Sequence, residues 1–379
     1  MKTDSSRRSF LAAGLALPAV QPSARLSSPP KLQYRTLGRT GLKVTTVGFG
    51  CMITSDPSVI ERAVDKGINY FDTARLYGRG NNERMVGAAL KSRRKSVFLS
   101  SKSKNRTRQG ALEELNASLR ELGTDYLDIW YLHDLGRAEE LTDELLAAQQ
   151  TAKKDGKIRF AGVTTHGGQA AVVPAAVKTG QIDVVLSGYN FAMTKDLDPV
   201  LEAAHQAGLG IVAMKVMAGG TRNAPYYPTP AQLRDLLKRQ GVMLAALKWA
   251  IRKPFIHTSV PSMVDTDQLD ENIRAMSSPF TDADQSLLAV HLERIRPFYC
   301  RMCNQCDGTC PKGLPVADLL RFLMYAEGYG QFTLGRENFL ELPAEVRQVR
   351  CNLCPSCAVR CPNGVQVARR LSRAQEVFA

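Results

Sequence analysis

Short apolar segments alternate with amphipathic helical segments through the middle of this chain, and this alternation restricts its fold more than any other feature. The predicted strands are Val44–Gly50, Asn69–Ala74, Val97–Lys102, Tyr126–His133, Ile158–Thr165, Val184–Tyr189, Gly210–Val216 and Ile256–Ser262. The predicted helices between them include Ser58–Lys66, Gly110–Leu122, Asp143–Lys154, Pro199–Ala207 and Leu233–Arg252. Such alternation is typical of a parallel α/β protein.

Eight strand–helix repeats in about 240 residues match the size of a closed (β/α)8 TIM barrel. An open doubly wound sheet is the alternative, but no Gly-x-Gly-x-x-Gly motif follows the first strand. Ahead of the barrel, Leu32–Thr36 and Leu42–Thr46 flank a Gly-Arg-Thr-Gly turn and predict a β-hairpin, which we expect to plug the bottom of the barrel.

The composition fits a large globular protein that binds anions. The chain has 379 residues, of which 44% are hydrophobic, and a net charge of +14. Its basic residues are scattered singly, without a stripe interleaved with aromatic residues, so no nucleic-acid partner is expected. No apolar stretch approaches the roughly 18 residues of a membrane span, so no transmembrane segment is expected in the mature protein. Phosphate-bearing cofactors and anionic metal clusters explain the charge better.

The N-terminus has the pattern of an export signal. Arg7 and Arg8 stand in Ser-Arg-Arg-Ser-Phe-Leu, ahead of a short apolar run and small residues. This predicts a twin-arginine signal peptide over residues 1–24, with cleavage after Ala19 or Ala24, and a linker over residues 25–33. The protein would then be periplasmic or extracytoplasmic, and exported in its folded state. A cytoplasmic start with a chance arginine pair is the alternative.

Four polar residues lie where barrel strands end, which is where barrel enzymes place their chemistry. Asp72 ends the second strand, Tyr77 lies in the loop after it, Lys102 ends the third strand and His133 ends the fourth. A tyrosine is a weak acid near neutral pH unless a cation stabilises its phenolate. We therefore expect Lys102 to make Tyr77 acidic, Asp72 to hold Lys102, and His133 to orient a substrate carbonyl beside Tyr77.

Two stretches of sequence then resemble a known family. Tyr34–Val44 resembles the opening of the aldo/keto reductases, and Phe71–Gly78 with Asn82, Glu83 and Gly87 resembles their signature. The resemblance covers about residues 32–295 and implies a nicotinamide-dependent oxidoreductase that interconverts a carbonyl and an alcohol. It assigns the catalytic roles to Asp72, Tyr77, Lys102 and His133, with Tyr77 as general acid and base.

The same resemblance implies a binding site for NADPH or NADH. Its expected residues are Gly50, Cys51, Met52, Asp72, Thr164, Thr165, Met214, Lys215, Val216, Met217, Ser262, Met263, Gln268 and Asn272. The chain departs from the family pattern at three places. Thr164-Thr165 replaces a common Ser-Asn, Leu186 replaces a Gln that holds the carboxamide, and Gln268 replaces an Arg that binds the 2′-phosphate. The choice between NADPH and NADH therefore stays open.

Eight of the nine cysteines form two matching sets near the C-terminus. Each set reads C-x2-C-x2-C-x3-C-P, and the cysteines are Cys300, Cys303, Cys306, Cys310, Cys351, Cys354, Cys357 and Cys361. This is the spacing of bacterial proteins with two [4Fe–4S] clusters. Zinc and disulfides are the alternatives, but zinc modules usually hold two ligand pairs far apart in sequence.

The segment between the two sets has a helical pattern, for example at Val316–Tyr325. We therefore predict a small helical ferredoxin-like domain over residues 299–379, which follows a barrel over residues 34–298. In two-cluster proteins the fourth cysteine serves the other cluster. We expect one site from Cys300, Cys303, Cys306 and Cys361, and the other from Cys351, Cys354, Cys357 and Cys310. A grouping within each sequence set is the alternative.

Together these features resemble an iron–sulfur branch of the aldo/keto reductases with a twin-arginine signal. A nicotinamide exchanges two electrons at once whereas a cluster moves one, and no flavin motif is visible. Three hypotheses remain: a reductase whose clusters exchange electrons with an external redox partner protein, an electron-transfer protein with a barrel that only binds, and a plain carbonyl reductase with structural clusters.

Overall fold

A two-stranded hairpin opens the described part of the chain. The computed structural model describes residues 31–218, 241–306, 308–351 and 354–379. The predicted signal peptide, residues 25–30 of the predicted linker and residues 233–240 of a predicted helix lie outside this part. Strands β1 (Tyr34–Thr36) and β2 (Lys43–Thr45) pair antiparallel, which confirms the predicted hairpin.

The hairpin closes the amino end of the barrel. Leu37 and Leu42 are buried in one apolar cluster with interior barrel residues such as Tyr131 and Leu186. The backbone N–H of Arg39 donates to the Gly208 carbonyl at 2.7 Å, immediately before a barrel strand begins at Gly210. The apolar residues of this turn therefore plug the bottom of the barrel, which leaves the opposite end for the active site.

Eight parallel strands follow in chain order, as the alternation predicts. They are β3 (Phe49–Gly50), β4 (Tyr70–Asp72), β5 (Phe98–Ser103), β6 (Leu127–Leu132), β7 (Ile158–Thr165), β8 (Val184–Gly188), β9 (Gly210–Met214) and β10 (Thr258–Ser259). Each strand pairs with the next one in the chain, and the bridges Val47–Ser259 and Gly50–Ser262 connect the last strand to the first. The (β/α)8 barrel is confirmed.

The barrel helices are α1 (Pro57–Asp65), α2 (Asn81–Leu90), α3 (Arg108–Leu122), α4 (Asp143–Lys154), α5 (Gln169–Thr179), α6 (Thr194–Gln206), α7 (Val242–Ile251), α8 (Thr266–Ser277) and α9 (Asp282–Ile295). Gly123 and Gly180 take left-handed conformations that end α3 and α5, as glycines after helices do. Helix α6 begins five residues before the predicted start at Pro199, because a proline weakens a helix without always beginning it.

The C-terminal part is helical, with α10 (Val316–Tyr329), α11 (Phe332–Leu340), α12 (Ala344–Gln348) and α13 (Val367–Phe378). Helix α10 is one turn longer than predicted. The helices of the C-terminal part share a core, in which the ring centroids of Phe339 and Phe378 lie 5.7 Å apart. Residues 31–379 form one compact unit, so these helices pack onto the barrel.

None of the helices in the described residues combines the length and the apolar character needed to cross a bilayer.

Candidate active site

The four predicted catalytic residues lie together at the carboxyl end of the barrel. Strand pairing sets Asp72 beside Ser100 and Lys102 beside Tyr131, on neighbouring strands. His133 follows β6, and its N–H donates to the Ser103 carbonyl at 2.8 Å. Tyr77 lies in the loop after β4. Parallel pairing in chain order therefore brings residues from three successive strands to one edge.

Asp72 and Lys102 form a buried ion pair beneath the surface of the site. Lys102 Nζ donates to Asp72 Oδ2 at 2.5 Å and to the Thr73 carbonyl at 2.6 Å. The Ser100 hydroxyl donates to Asp72 Oδ1 at 2.7 Å. Lys102 is 2% exposed and Asp72 is 4% exposed, so burial without these partners would be costly. The network fixes the ammonium in one position.

The Tyr77 ring lies above this pair, with Lys102 Nζ 5.2 Å from its centroid. The Tyr77 pKa is nevertheless raised well above its ordinary value, mainly by burial and then by the Asp72 carboxylate. The direction of this shift is opposite to the expectation that Lys102 makes Tyr77 more acidic. The raised pKa keeps the Tyr77 phenol protonated near neutral pH.

His133 is the neutral member of the site. Its ring stands edge-on to that of Tyr77, with centroids 6.2 Å apart. Burial, followed by the charge of Lys102, lowers the His133 pKa to about 3. Its Nδ1 is buried without a hydrogen-bond partner among the described residues. A neutral imidazole has one N–H for a substrate oxygen, which agrees with the predicted orienting role.

A cavity of about 730 Å³ opens above these residues. Asp72, Tyr77 and His133 line it, and Lys102 lies behind them. Most of the predicted cofactor residues also line it: Gly50, Met52, Asp72, Met214, Lys215, Val216, Met217, Ser262, Gln268 and Asn272. A cavity of this size is in the range of ligand sites, roughly 300–1,000 Å³.

The remaining predicted cofactor residues lie below the cavity surface and have structural contacts. Cys51 is fully buried, and Met263 accepts a hydrogen bond at its carbonyl from Thr54. Thr164 accepts one at its hydroxyl from the Asp134 N–H, and the Thr165 hydroxyl donates to the Gly167 carbonyl. The pair at 164 and 165 thus shapes the loops beside the cavity.

The cysteine-bearing part of the chain forms the roof of the cavity. Tyr325, Tyr329, Glu337 and Asn338 line it, from helices α10 and α11. Three ion pairs cross between roof and barrel: Arg321–Asp134 at 2.8 Å, Arg79–Glu337 at 2.8 Å and Lys104–Glu341 at 3.5 Å. The roof therefore meets the loops that follow β4, β5 and β6, the strands that carry or immediately precede the catalytic residues.

Sequence reasoning missed several residues of this cavity. His166 follows directly after β7, so the rule that selected His133 at a strand end applies to it as well. Its ring lies 6.0 Å from that of His133. No sequence pattern marks Tyr325 and Tyr329 as cavity residues, because their position depends on how α10 packs onto the barrel.

No disulfide joins the eight C-terminal cysteines in the described part of the chain, and each is half-buried. Burial raises the Cys300 pKa to about 12, and Cys306, Cys303 and Cys361 lie close enough to raise it as well. Cys357, Cys310 and Cys354 act in the same way on Cys351. In the described ranges no three metal-binding side chains are placed to hold a single ion. A four-iron cluster is larger than one ion, so its thiolates lie further apart.

The model of the "Aldo/keto reductase family" matches residues 55–293. The chain belongs to the aldo/keto reductase family. It is therefore an oxidoreductase of the NAD(P)-dependent type. The family match ends before Cys300, so the roof and all eight clustered cysteines lie outside it.

Individual proteins resemble the barrel along most of their own length. L-galactose dehydrogenase of Arabidopsis thaliana is 29% identical over 286 residues, which cover 65% of this chain and 89% of that protein. The NADH-specific methylglyoxal reductase of Escherichia coli is 26% identical over 308 residues, 67% of this chain and 94% of that protein. The holo structure of aldo-keto reductase AKR11C1 from Bacillus halodurans has a TM-score of 0.57 at 27% identity and covers 68% of this chain and 96% of its own.

Proposed function

We propose that this aldo/keto reductase interconverts a small carbonyl compound and its alcohol by hydride transfer with NADPH or NADH. The observation that carries the proposal is the buried Asp72–Lys102 pair beneath Tyr77, with neutral His133 beside it. The names of the two relatives, a sugar dehydrogenase and a methylglyoxal reductase, agree with a small carbonyl or alcohol substrate.

The described residues fit a nicotinamide dinucleotide. The Asn272 side-chain oxygen lies buried at the cavity and has no hydrogen-bond partner among the residues that the structure describes, so it offers an acceptor to a ligand donor. Gln268 is bound to Asp265 and Val264 and supplies no cation for a 2′-phosphate, so NADH remains as good a candidate as NADPH. When bound, the cofactor supplies or accepts the hydride.

The residues of the chain would handle the proton. The protonated Tyr77 hydroxyl donates to the carbonyl oxygen as negative charge develops there, and the nearby Lys102 ammonium stabilises the phenolate left behind. The neutral His133 ring donates a hydrogen bond that orients the same oxygen. Asp72 keeps Lys102 charged and in place. In the reverse direction Tyr77 accepts the proton from the alcohol.

A direct test measures nucleotide binding and turnover together. Binding of NADPH and NADH to the folded full-length protein is followed by fluorescence, and consumption of each is followed with a panel of aldehydes, ketones and sugars. The proposal predicts micromolar binding of at least one nucleotide, as is typical of cofactor use, and turnover with at least one carbonyl. Absence of nucleotide binding would refute it.

We further propose that the eight cysteines bind two [4Fe–4S] clusters, with Cys361 joining Cys300, Cys303 and Cys306, and Cys310 joining Cys351, Cys354 and Cys357. Thiolates are the ligands that iron–sulfur clusters require. The grouping is supported by the cysteines that influence Cys300 and Cys351. The Asn363 amide also lies 3.5 Å from Cys303 Sγ and connects the two sequence sets.

Iron and sulfide analysis of anaerobically purified protein tests this proposal. We expect about eight iron and eight sulfide atoms per chain and an EPR signal on reduction; zinc without sulfide would refute it. Two double variants distinguish the groupings. Cys303→Ser with Cys361→Ser should remove about four iron atoms, whereas Cys303→Ser with Cys310→Ser should remove about eight. The reverse result would establish the grouping within each sequence set. Cys51→Ser is the matched control.

The clusters are proposed to exchange electrons with an external redox partner protein. Two one-electron clusters together match the two electrons of one hydride. A structural role for the clusters is the second candidate, because the roof that carries them lines the active-site cavity. Anaerobic addition of NADPH, alone or with a one-electron mediator, should bleach the cluster absorbance. Bleaching by dithionite alone would favour the structural role.

Export by the twin-arginine route remains a proposal based on residues 1–24. Folding before export would allow the clusters to be inserted in the cytoplasm. Fractionation of cells that produce the full chain should place it outside the cytoplasm, and Arg7→Lys with Arg8→Lys should retain it inside. Equal distribution of both forms would refute export by this route.

A further inference from the structure

We propose that Lys215 binds an anionic group of the substrate, such as a carboxylate, at a subsite that the roof completes. The inference rests on the proposed reductase function and specifies its substrate class.

Lys215 lacks an ion-pair partner in the described part of the chain, unlike the other charged residues that line the cavity. Those others are paired as Asp72–Lys102, Arg79–Glu337, Lys104–Glu341 and Asp134–Arg321. One positive charge is therefore left over at the wall of the cavity, where Lys215 is half-buried. An unpaired charge away from bulk water is unfavourable, and an anionic ligand would compensate it.

Two roof tyrosines hold the Lys215 ammonium at this place. Its Nζ lies 4.8 Å from the ring centroid of Tyr325 and 5.1 Å from that of Tyr329, distances at which a cation is attracted to an aromatic face. Tyr325 also influences Tyr77 electrostatically. Tyr325 thus lies near both Lys215 and the catalytic phenol, which puts the subsite within reach of one small molecule.

The backbone at Lys215 is held in an uncommon conformation. Its φ is +57°, in the left-handed region that residues other than glycine seldom adopt. The Asn190 amide donates to the Lys215 carbonyl at 3.1 Å and to the Tyr299 hydroxyl at 2.7 Å. Backbone strain of this kind occurs mostly at functional sites, and here it fixes a residue that lines the cavity.

His166 provides a second polar contact beside Lys215. It is 7% exposed, lines the cavity, and its Nδ1 is buried without a partner among the described residues. Burial, and then the charge of Lys215, lowers the His166 pKa well below its ordinary value. The ring is therefore neutral and has one N–H, so an ammonium and an imidazole together can serve the two oxygens of a carboxylate.

A cofactor phosphate is the other source of the same anionic chemistry, and the family resemblance counts Lys215 among the cofactor residues. We favour the substrate because the tyrosines around Lys215 belong to α10, beyond the residues that match the family. Family members share the cofactor, so a site for it needs no tyrosines from outside the family match. Their substrates differ, so a substrate site can use such added residues. The experiment separates the two sources.

The test uses matched probes that differ only in charge. Binding of benzoate and of benzamide is measured by calorimetry on the full chain, with and without NADP+, and kcat/KM is measured for 4-carboxybenzaldehyde and its methyl ester. Lys215→Met should weaken benzoate binding by about tenfold to a hundredfold and reduce the preference for the charged aldehyde equally. Lys215→Arg should retain much of that preference. Lys104→Met, which removes a paired lysine of the same cavity, should preserve it.

Three results would overturn the inference or separate it from its premise. Unchanged benzoate binding in Lys215→Met, with an unchanged melting temperature, would overturn it. Weaker NADP+ binding with unchanged benzoate binding would assign Lys215 to the cofactor and also overturn it. Benzoate binding that depends on Lys215, in a protein that turns over no carbonyl, would support the subsite while refuting the reductase function.

Discussion

The Arg321 guanidinium donates to Asp134 Oδ1 at 2.8 Å and thereby connects the roof helix α10 to the residue that follows His133. Both side chains are mostly buried, with 14% and 19% exposed, and Asp134 has a φ of +59°. The Arg321 charge keeps the Asp134 pKa below its ordinary value despite burial. The roof and the catalytic rim are therefore one structural unit.

Arg321→Met should loosen this connection. It leaves the Asp134 carboxylate without its main partner, which costs about 1.5–3 kcal/mol of unfolding free energy. Denaturant unfolding of the anaerobically purified full-length protein measures this loss of unfolding free energy. Glu337→Gln, which breaks the exposed Arg79–Glu337 pair, is the matched control and should cost about 0–1 kcal/mol. Equal losses in both variants would contradict a special role for Arg321.

The buried pair beneath Tyr77 allows a double-mutant test. Lys102→Met leaves the Asp72 carboxylate buried without its cation and should cost about 3–5 kcal/mol. Lys102→Met with Asp72→Asn removes both charges and should recover part of that loss. Chemical denaturation of three variants, Lys102→Met, Asp72→Asn and the double variant, gives the coupling energy. Simple additivity of the two single changes would show that the pair does not interact. Turnover should fall in all three.

Buried histidines should make the fold sensitive to acid. Burial lowers the pKa of His257 to about 4, and its Nδ1 accepts a hydrogen bond from the Ile211 N–H at 2.8 Å. The unfolded chain binds the proton near pH 6.5 and the folded chain only near 4. Stability is therefore complete above about pH 6.5 and falls as the pH decreases, by up to about 1.4 kcal/mol per pH unit and proton.

His257→Asn retains an acceptor near the position of Nδ1 but cannot titrate. We expect the thermal midpoint of this variant to be lower at pH 7 and to fall less steeply between pH 6.5 and 4 than that of the wild-type protein. An unchanged slope would show that His257 does not contribute to the acid sensitivity.

Anion binding at Lys215 should depend on pH. Burial, and then the Arg321 charge, lowers the Lys215 pKa to about 7, while Asp134 opposes the shift. Of its other neighbours, Tyr325 has a pKa of about 12 and His166 one well below its ordinary value, so both stay neutral near pH 7. Benzoate affinity should therefore fall above about pH 7, by up to about tenfold per pH unit. Lys215→Arg should abolish this decline, because a guanidinium stays charged.

The sequence predicts the barrel well because each strand ends in a local pattern. Asp72, Lys102 and His133 are recognisable as strand-end residues, and pairing in chain order brings them together. The roof is different. Tyr325 and Tyr329 look like ordinary helix residues until α10 packs on the rim, and the Lys215 side chain takes its role only from that packing. The pKa of Tyr77 also depends on burial and on Asp72, which no spacing in the sequence encodes.

The most direct test of the account compares the wild-type protein with Tyr77→Phe at saturating nucleotide, on the carbonyl that the panel identifies. The account predicts that kcat falls by about a hundredfold or more, while nucleotide affinity and melting temperature stay close to the wild-type values. Tyr34→Phe, at a surface position, should retain full activity. Turnover by Tyr77→Phe at the wild-type rate would contradict the central claim that this phenol transfers the proton.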